Sequence, residues 1–102
     1  NWWHWAEEDD AWNRNMAANF KRYTEPLRGR RADLAMLPLD PRLGKDGYLG
    51  PEYFLELMDV RHFLPMHQWE DFAFTDEFLS AYPQFAPITV KIHRDGEFLG
   101  EL

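Results

Sequence analysis

The sequence predicts an α/β fold in the order helix, strand, helix, strand, helix, hairpin, and three observations carry that prediction. Apolar residues early in the chain recur at helical spacing. Two short and almost wholly apolar runs, residues 33–39 and 62–67, have the composition of strands buried on both faces, as in parallel or mixed sheets. Near the end, Ile88, Val90 and Ile92 alternate with Thr89, Lys91 and His93 ahead of an Asp95-Gly96 pair, a strong signal for a two-residue hairpin.

The opening segment, residues 1–5 (NWWHW), shows neither helical nor strand period. Trp12, Met16, Phe20 and Tyr23 then form one apolar stripe of a helix. Glu7, Glu8, Asp9 and Asp10 stand at its positive end, so helix-start electrostatics explains the acidic run better than a metal site does. Pro26 and Gly29 mark the end of this helix. Residues 33–39 (DLAMLPL) read as the first strand, closed by Asp40-Pro41-Arg42, and residues 44–50 as a loop. Pro51 opens a second helix with Phe54, Leu55 and Met58 on one side. Residues 62–67 (HFLPMH) form the second strand, and Thr75 is the expected N-cap of a helix that stops at Pro83. Residues 97–102 are expected to return as the hairpin partner.

At 102 residues the chain is one compact unit or part of one. Its 45% hydrophobic and 28% charged residues place it among globular proteins. Aromatic residues make up 17%, more than so short a chain easily buries, so some rings are expected to meet another surface. A net charge of −7 argues against nucleic acid as a partner. The basic cluster from Arg28 to Arg31 is short and reads as a solvated loop. No apolar run approaches the ~20 residues that cross a bilayer, so no membrane partner is expected and the expected location is cytoplasmic. Cysteine is absent, which excludes disulfides and thiolate chemistry.

Among candidate functional residues, His67 stands first. It falls at the carboxyl end of a buried strand, where open α/β sheets gather their sites, and a neutral imidazole there suits a metal or a proton. Spacing alone leaves a hydrogen-bonded structural histidine as the alternative, because no His-x-His or His-Glu-x-x-His pattern is present. Asp40 ends the first strand as His67 ends the second, and either faces the same site or simply begins a turn. Arg42 and Lys45 are candidates for holding an anionic substrate or are solvated loop charges. His4, between Trp3 and Trp5, either lines a cleft or packs among aromatic rings; His62 and His93 read as surface residues. No phosphate-cradling glycine loop and no nucleophile elbow occur.

Three segments support a more specific expectation: NWWHW at residues 1–5, LPLDPR at residues 37–42 and FLPMHQW at residues 63–69. Their order and approximate spacing resemble metal-dependent hydrolases of the metallo-β-lactamase fold, and most closely an uncharacterised bacterial branch of that superfamily. The resemblance spans essentially the whole chain, as a single partial domain over residues 1–102. It implies the C-terminal half of an αββα sandwich, with a divalent metal, expected to be zinc and dinuclear in the intact protein. In such enzymes two metals activate a bridging water and polarise a carbonyl or phosphoryl oxygen.

By this resemblance only His67 matches a metal ligand, and no other catalytic residue is assigned. Asp40 becomes a residue that orients ligands or faces substrate, together with Arg42; Asn1, Trp3 and His4 become candidates for lining the cleft. The family's His-x-His-x-Asp-His segment and bridging Asp have no counterpart in these residues, and Gln68 stands where an aromatic residue is expected. The chain by itself is therefore expected to be inactive. Its expected partners are the missing N-terminal half or a second copy of the chain, with a small-molecule substrate in the intact enzyme. A fold of this kind hosts many reactions, so the substrate is not specified. The other reading is a stand-alone module that dimerises or binds a partner and keeps half of the fold without catalysis.

Overall fold

The computed structural model describes residues 1–100. Helix α1 (Asp10–Thr24) begins at Asp9, whose carboxylate accepts a hydrogen bond from the Trp12 N–H at 2.7 Å and so caps the first turn. A short 3₁₀ turn (Glu25–Leu27) leads into strands β1 (Arg31–Ala32) and β2 (Ala35–Pro38). A 3₁₀ segment (Pro41–Tyr48) and helix α2 (Leu49–Leu57) follow, then strands β3 (Asp59–Val60) and β4 (Phe63–Met66). Helix α3 (Ala73–Ala81) and a 3₁₀ segment (Pro83–Ile88) complete the series.

The architecture is mixed α/β. Strand β1 pairs in parallel with β3, and β2 with β4, in the register Ala35↔Phe63 to Pro38↔Met66. The break between the pairs is minor, because Arg61 N–H donates to the Ala32 carbonyl and Ala35 N–H to the His62 carbonyl. Parallel neighbours need a crossover, and α2 with its preceding 3₁₀ segment supplies it. The result is one β-α-β unit in which both strands end at the same level. Beyond β4, Thr89 makes a single parallel bridge to Phe63.

The expected hairpin is not observed among the described residues. Asp95 and Gly96 do form a turn, with Gly96 at φ 72°, but their flanks do not pair. Thr89 and Val90 instead meet β4 at Phe63, whose carbonyl accepts from the Val90 N–H at 2.8 Å. The last two residues of the expected partner, 101 and 102, lie outside the described residues. Two further expectations need correction. Residues 45–50 are 3₁₀ and helical rather than loop: Asp40 caps a short turn that starts at Pro41, Gly44 interrupts it at φ 57°, and a second turn runs on into α2. Thr75 lies inside the first turn of α3 instead of capping it, because its hydroxyl bonds to Gln68.

The inner face of the strands packs against α2 and α3. Ala35, Leu39 and Phe63 meet Leu55, Phe74, Phe78 and Phe85 in one cluster. Phe78 is its centre, fully buried and within 6.0 Å, centroid to centroid, of Phe63, Tyr82 and Phe85. Much of the aromatic excess is thus absorbed within the chain. Among the described residues, the large apolar side chains left exposed are Tyr23, Leu34, Met36, Trp69 and Phe98. Tyr23, expected on the buried stripe of α1, is 70% exposed. The outer face of β2 and β4 carries Met36 and Leu64, the former 53% exposed.

Removing the central ring creates a cavity that close-packed neighbours fill only in part. Phe78→Ala should cost about 3–5 kcal/mol, measured as a fall in the urea midpoint at unchanged slope. A loss below about 1 kcal/mol would mean that the core is centred elsewhere.

Candidate functional site

Because β2 and β4 run in parallel and in register, Asp40 and the His67–Glu70 segment emerge together at their carboxyl ends. The chain turns sharply after β4. His67, Trp69 and Glu70 adopt left-handed backbone with φ of 62°, 52° and 61°. Non-glycine residues rarely occupy this region, at a cost on the order of 1 kcal/mol or more each. Such a turn persists only if the surroundings hold it, and Gln68 is the holder. Its buried side-chain amide donates to the Leu39 carbonyl at 2.8 Å and accepts from the Thr75 hydroxyl at 2.8 Å. The end of β2, the turn and the start of α3 are tied by one side chain, which leaves His67 and Trp69 projecting outward and exposed.

Asp40 is almost wholly buried, and its carboxylate is saturated with donors. It accepts from Arg42 N–H at 3.0 Å, Arg42 Nε at 3.1 Å and Arg42 Nη2 at 2.7 Å, with Trp69 Nε1 at 3.4 Å. Burial pushes the Asp40 carboxyl up, but the Arg42 side-chain and backbone hydrogen bonds, the Trp69 bond and the guanidinium charge together hold it below its ordinary value. The same pairing raises the Arg42 guanidinium further. Gly47 packs beneath: a Cβ there would lie 2.7 Å from the Asp40 carbonyl oxygen, so the 3₁₀ segment can close on the strand end only with glycine at this point.

The Arg42 guanidinium lies between two indoles, 4.5 Å from the Trp69 centroid and 5.4 Å from that of Trp5. Trp5 stacks on Trp3 at 6.1 Å and 14°, and the Trp3 ring meets the His67 imidazole edge-on at 5.8 Å. These contacts close a ring of side chains: His67, Trp3, Trp5, Arg42, Trp69, and back along the chain to His67. The opening segment is held there by Asn13 of α1, which accepts from Trp5 N–H at 3.1 Å and donates to the Trp5 carbonyl at 3.0 Å.

Of the candidates, the structure brings together Trp3, Asp40, Arg42 and His67. Asn1 lines a narrow hollow beside Trp3, Pro38 and Asp40. His4 faces away, 3.7 Å from Asp46, in a separate depression with Trp2, Asp10 and Arg14. Trp3 and Trp5 meet His67 and Arg42, whereas Trp2 and His4 meet Phe20 and Asp46. Nothing in NWWHW marks this division, because the side chains on both sides are aromatic. Sequence reasoning also passed over Trp5, Asn13 and Trp69, and weighed Gln68 only as an unexpected residue.

Next to the ring, Met36, Leu64, His67, Trp69, Glu70 and Ile92 are among the residues lining an open cavity of about 500 Å³. Among the described residues, no three His, Asp or Glu side chains converge so as to hold a metal ion. These residues alone therefore do not fit a metal centre; His67 offers one imidazole. Comparison with known proteins adds no family: no family model, curated protein or solved structure matches this chain.

Since the folded-state value of Asp40 lies below the ordinary 3.8, its contribution is complete above that value and is lost as pH falls through the folded-state value. Asp40→Asn should lower stability by roughly 1–3 kcal/mol at neutral pH, and the gap from wild type should narrow as pH drops below the ordinary carboxylate range. Denaturation at a series of acidic pH values tests this; a gap independent of pH would contradict the ionised pair. Gln68→Leu should cost about 1–3 kcal/mol by orphaning the Leu39 carbonyl, and the His67 and Trp69 resonances should broaden or split as the turn loosens. Unchanged resonances would show that backbone packing alone holds the turn.

Proposed function

We propose that this chain is the C-terminal part of a metal-dependent hydrolase of the metallo-β-lactamase fold, and that His67 is its contribution to the metal site. One observation supports this above the others. A left-handed turn, pinned by a buried glutamine, presents an exposed imidazole at the carboxyl ends of two parallel strands. Backbone strain is concentrated where a side chain must be aimed, and carboxyl ends of parallel strands are where such folds place their chemistry. Zinc needs three or four protein ligands, so the remaining donors come from another segment or another chain. Asp40 and Arg42 do not reach His67 directly; they fix Trp69, and through Trp5 and Trp3 the surface against which His67 rests.

A second reading has its own observation. Met36, Leu34 and Trp69 leave apolar surface exposed around the outer face of the strands, as a partner-binding module would. Both readings place a second surface against this chain, and they differ in whether metal is bound.

Zinc titration of the 102-residue chain should show weak binding below one equivalent and no hydrolase activity. In the protein as encoded by its gene, His67→Ala should lower metal content, by about half for a dinuclear site, with the circular dichroism spectrum retained. Metal content unaffected by His67→Ala would remove the hydrolase reading and leave the binding module.

A further inference from the structure

We propose that Arg42 is an anion-binding residue, whose second donor edge takes the carboxylate or phosphate group of a small organic ligand. A guanidinium carries five N–H donors in one plane, arranged so that each of two edges can grip a pair of oxygen atoms. In Arg42 one edge, Nε with Nη2, is occupied by Asp40. Nη1 makes no hydrogen bond among the described residues, and the Nη1–Nη2 edge remains for a second partner. The side chain as a whole is 48% exposed.

What distinguishes Arg42 from an ordinary surface arginine is how many of the protein's own groups hold its plane. The Asp40 carboxylate that holds it has no exposed side-chain area and is itself fixed by the Arg42 backbone N–H and Trp69 Nε1. Trp69 and Trp5 flank the guanidinium. The rotamer entropy that a free arginine loses on gripping an anion has therefore been lost on folding. The other paired arginines lack this arrangement. Arg28 and Arg31 hold Glu25 and Asp59 at sites where both partners are more than half exposed.

The ligand class follows from the geometry. Two coplanar oxygens satisfy the edge, which favours a carboxylate or a phosphate ester over a spherical ion. The indoles beside it favour an organic group attached to that anion. Because Asp40 already neutralises much of the charge, affinity for the bare anion should be millimolar. Assigning this anion as part of a substrate rests on the hydrolase reading; binding itself does not, since it requires no metal.

The test uses the 102-residue chain in the presence of a chelator, titrated with acetate, methyl phosphate or chloride at matched ionic strength. The Arg42 Nε–Hε resonance and the Trp5 and Trp69 indole resonances should shift saturably with acetate, methyl phosphate or both, and not with chloride. Which anion saturates identifies the class. Arg42→Lys, which keeps the charge but loses the fork, should weaken binding by about tenfold or more, the loss of one charge-assisted hydrogen bond. Should that variant fail to fold, the wild-type shifts decide, because they must centre on Arg42 and its two indoles. Absence of a saturable shift with either oxyanion, or equal affinity in a folded Arg42→Lys, overturns the proposal. Anion binding with metal content unaffected by His67→Ala would leave this site standing and remove the hydrolase reading; the reverse pair of results would do the opposite.

Discussion

The geometry of the site depends on one buried side chain. Gln68 joins the Leu39 carbonyl, just past β2, to the Thr75 hydroxyl in the first turn of α3, and it does so from the middle of a left-handed backbone turn. Its two hydrogen bonds contribute only about 1–3 kcal/mol. Their importance lies in position: without them the Leu39 carbonyl is buried and unpaired, the left-handed residues relax, and His67 and Trp69 lose their directions. Trp69 in turn donates to Asp40 and flanks Arg42, so the clamp acts on both halves of the site.

A second constraint is the use of aromatic rings in two separate groups. One is a conventional core, where Phe63, Phe74, Phe78 and Phe85 fill the space between strands and helices. The other is polar-aromatic and lies along the opening segment. Trp2 packs on Phe20 and Tyr53 on the α1 side, with Lys21 over its ring, while Trp3 and Trp5 lean on His67 and Arg42. Such contacts between rings and cations are worth roughly 0.5–1.5 kcal/mol each beyond area burial, and they are directional. A segment without regular structure is therefore held in one conformation by indoles, with Asn13 supplying the backbone hydrogen bonds that a strand would have obtained from a neighbour.

The parallel ladder relates these parts. It is short, but pairing in register makes both strands end at one level, which is why Asp40 and the His67 turn share a site although Asp40 and His67 are 27 positions apart. Parallel sheets are ordinarily covered on both faces. Here the inner face is closed by α2 and α3, while Met36 on the outer face remains exposed.

Much of this was legible in the residues themselves. Helix α1 followed from four apolar residues at helical spacing and from an acidic start, because periodicity and dipole are local properties. Strands β2 and β4 followed from their almost wholly apolar runs, and the placing of Asp40 and His67 at their ends followed directly, but burial on both faces did not, since Met36 is 53% exposed. The hairpin is not observed among the described residues, since alternation in residues 88–92 does not specify a partner and Thr89 and Val90 meet Phe63 of β4 instead. The clamp by Gln68, the division of NWWHW into two faces and the seat of Arg42 between two indoles were not legible. Each joins residues distant in sequence, 29 positions apart for Gln68 and Leu39 and 37 for Arg42 and Trp5. Local pattern determines which segments are helix and strand and where they end; which polar side chain meets which partner across the fold is decided only when packing has brought the segments together.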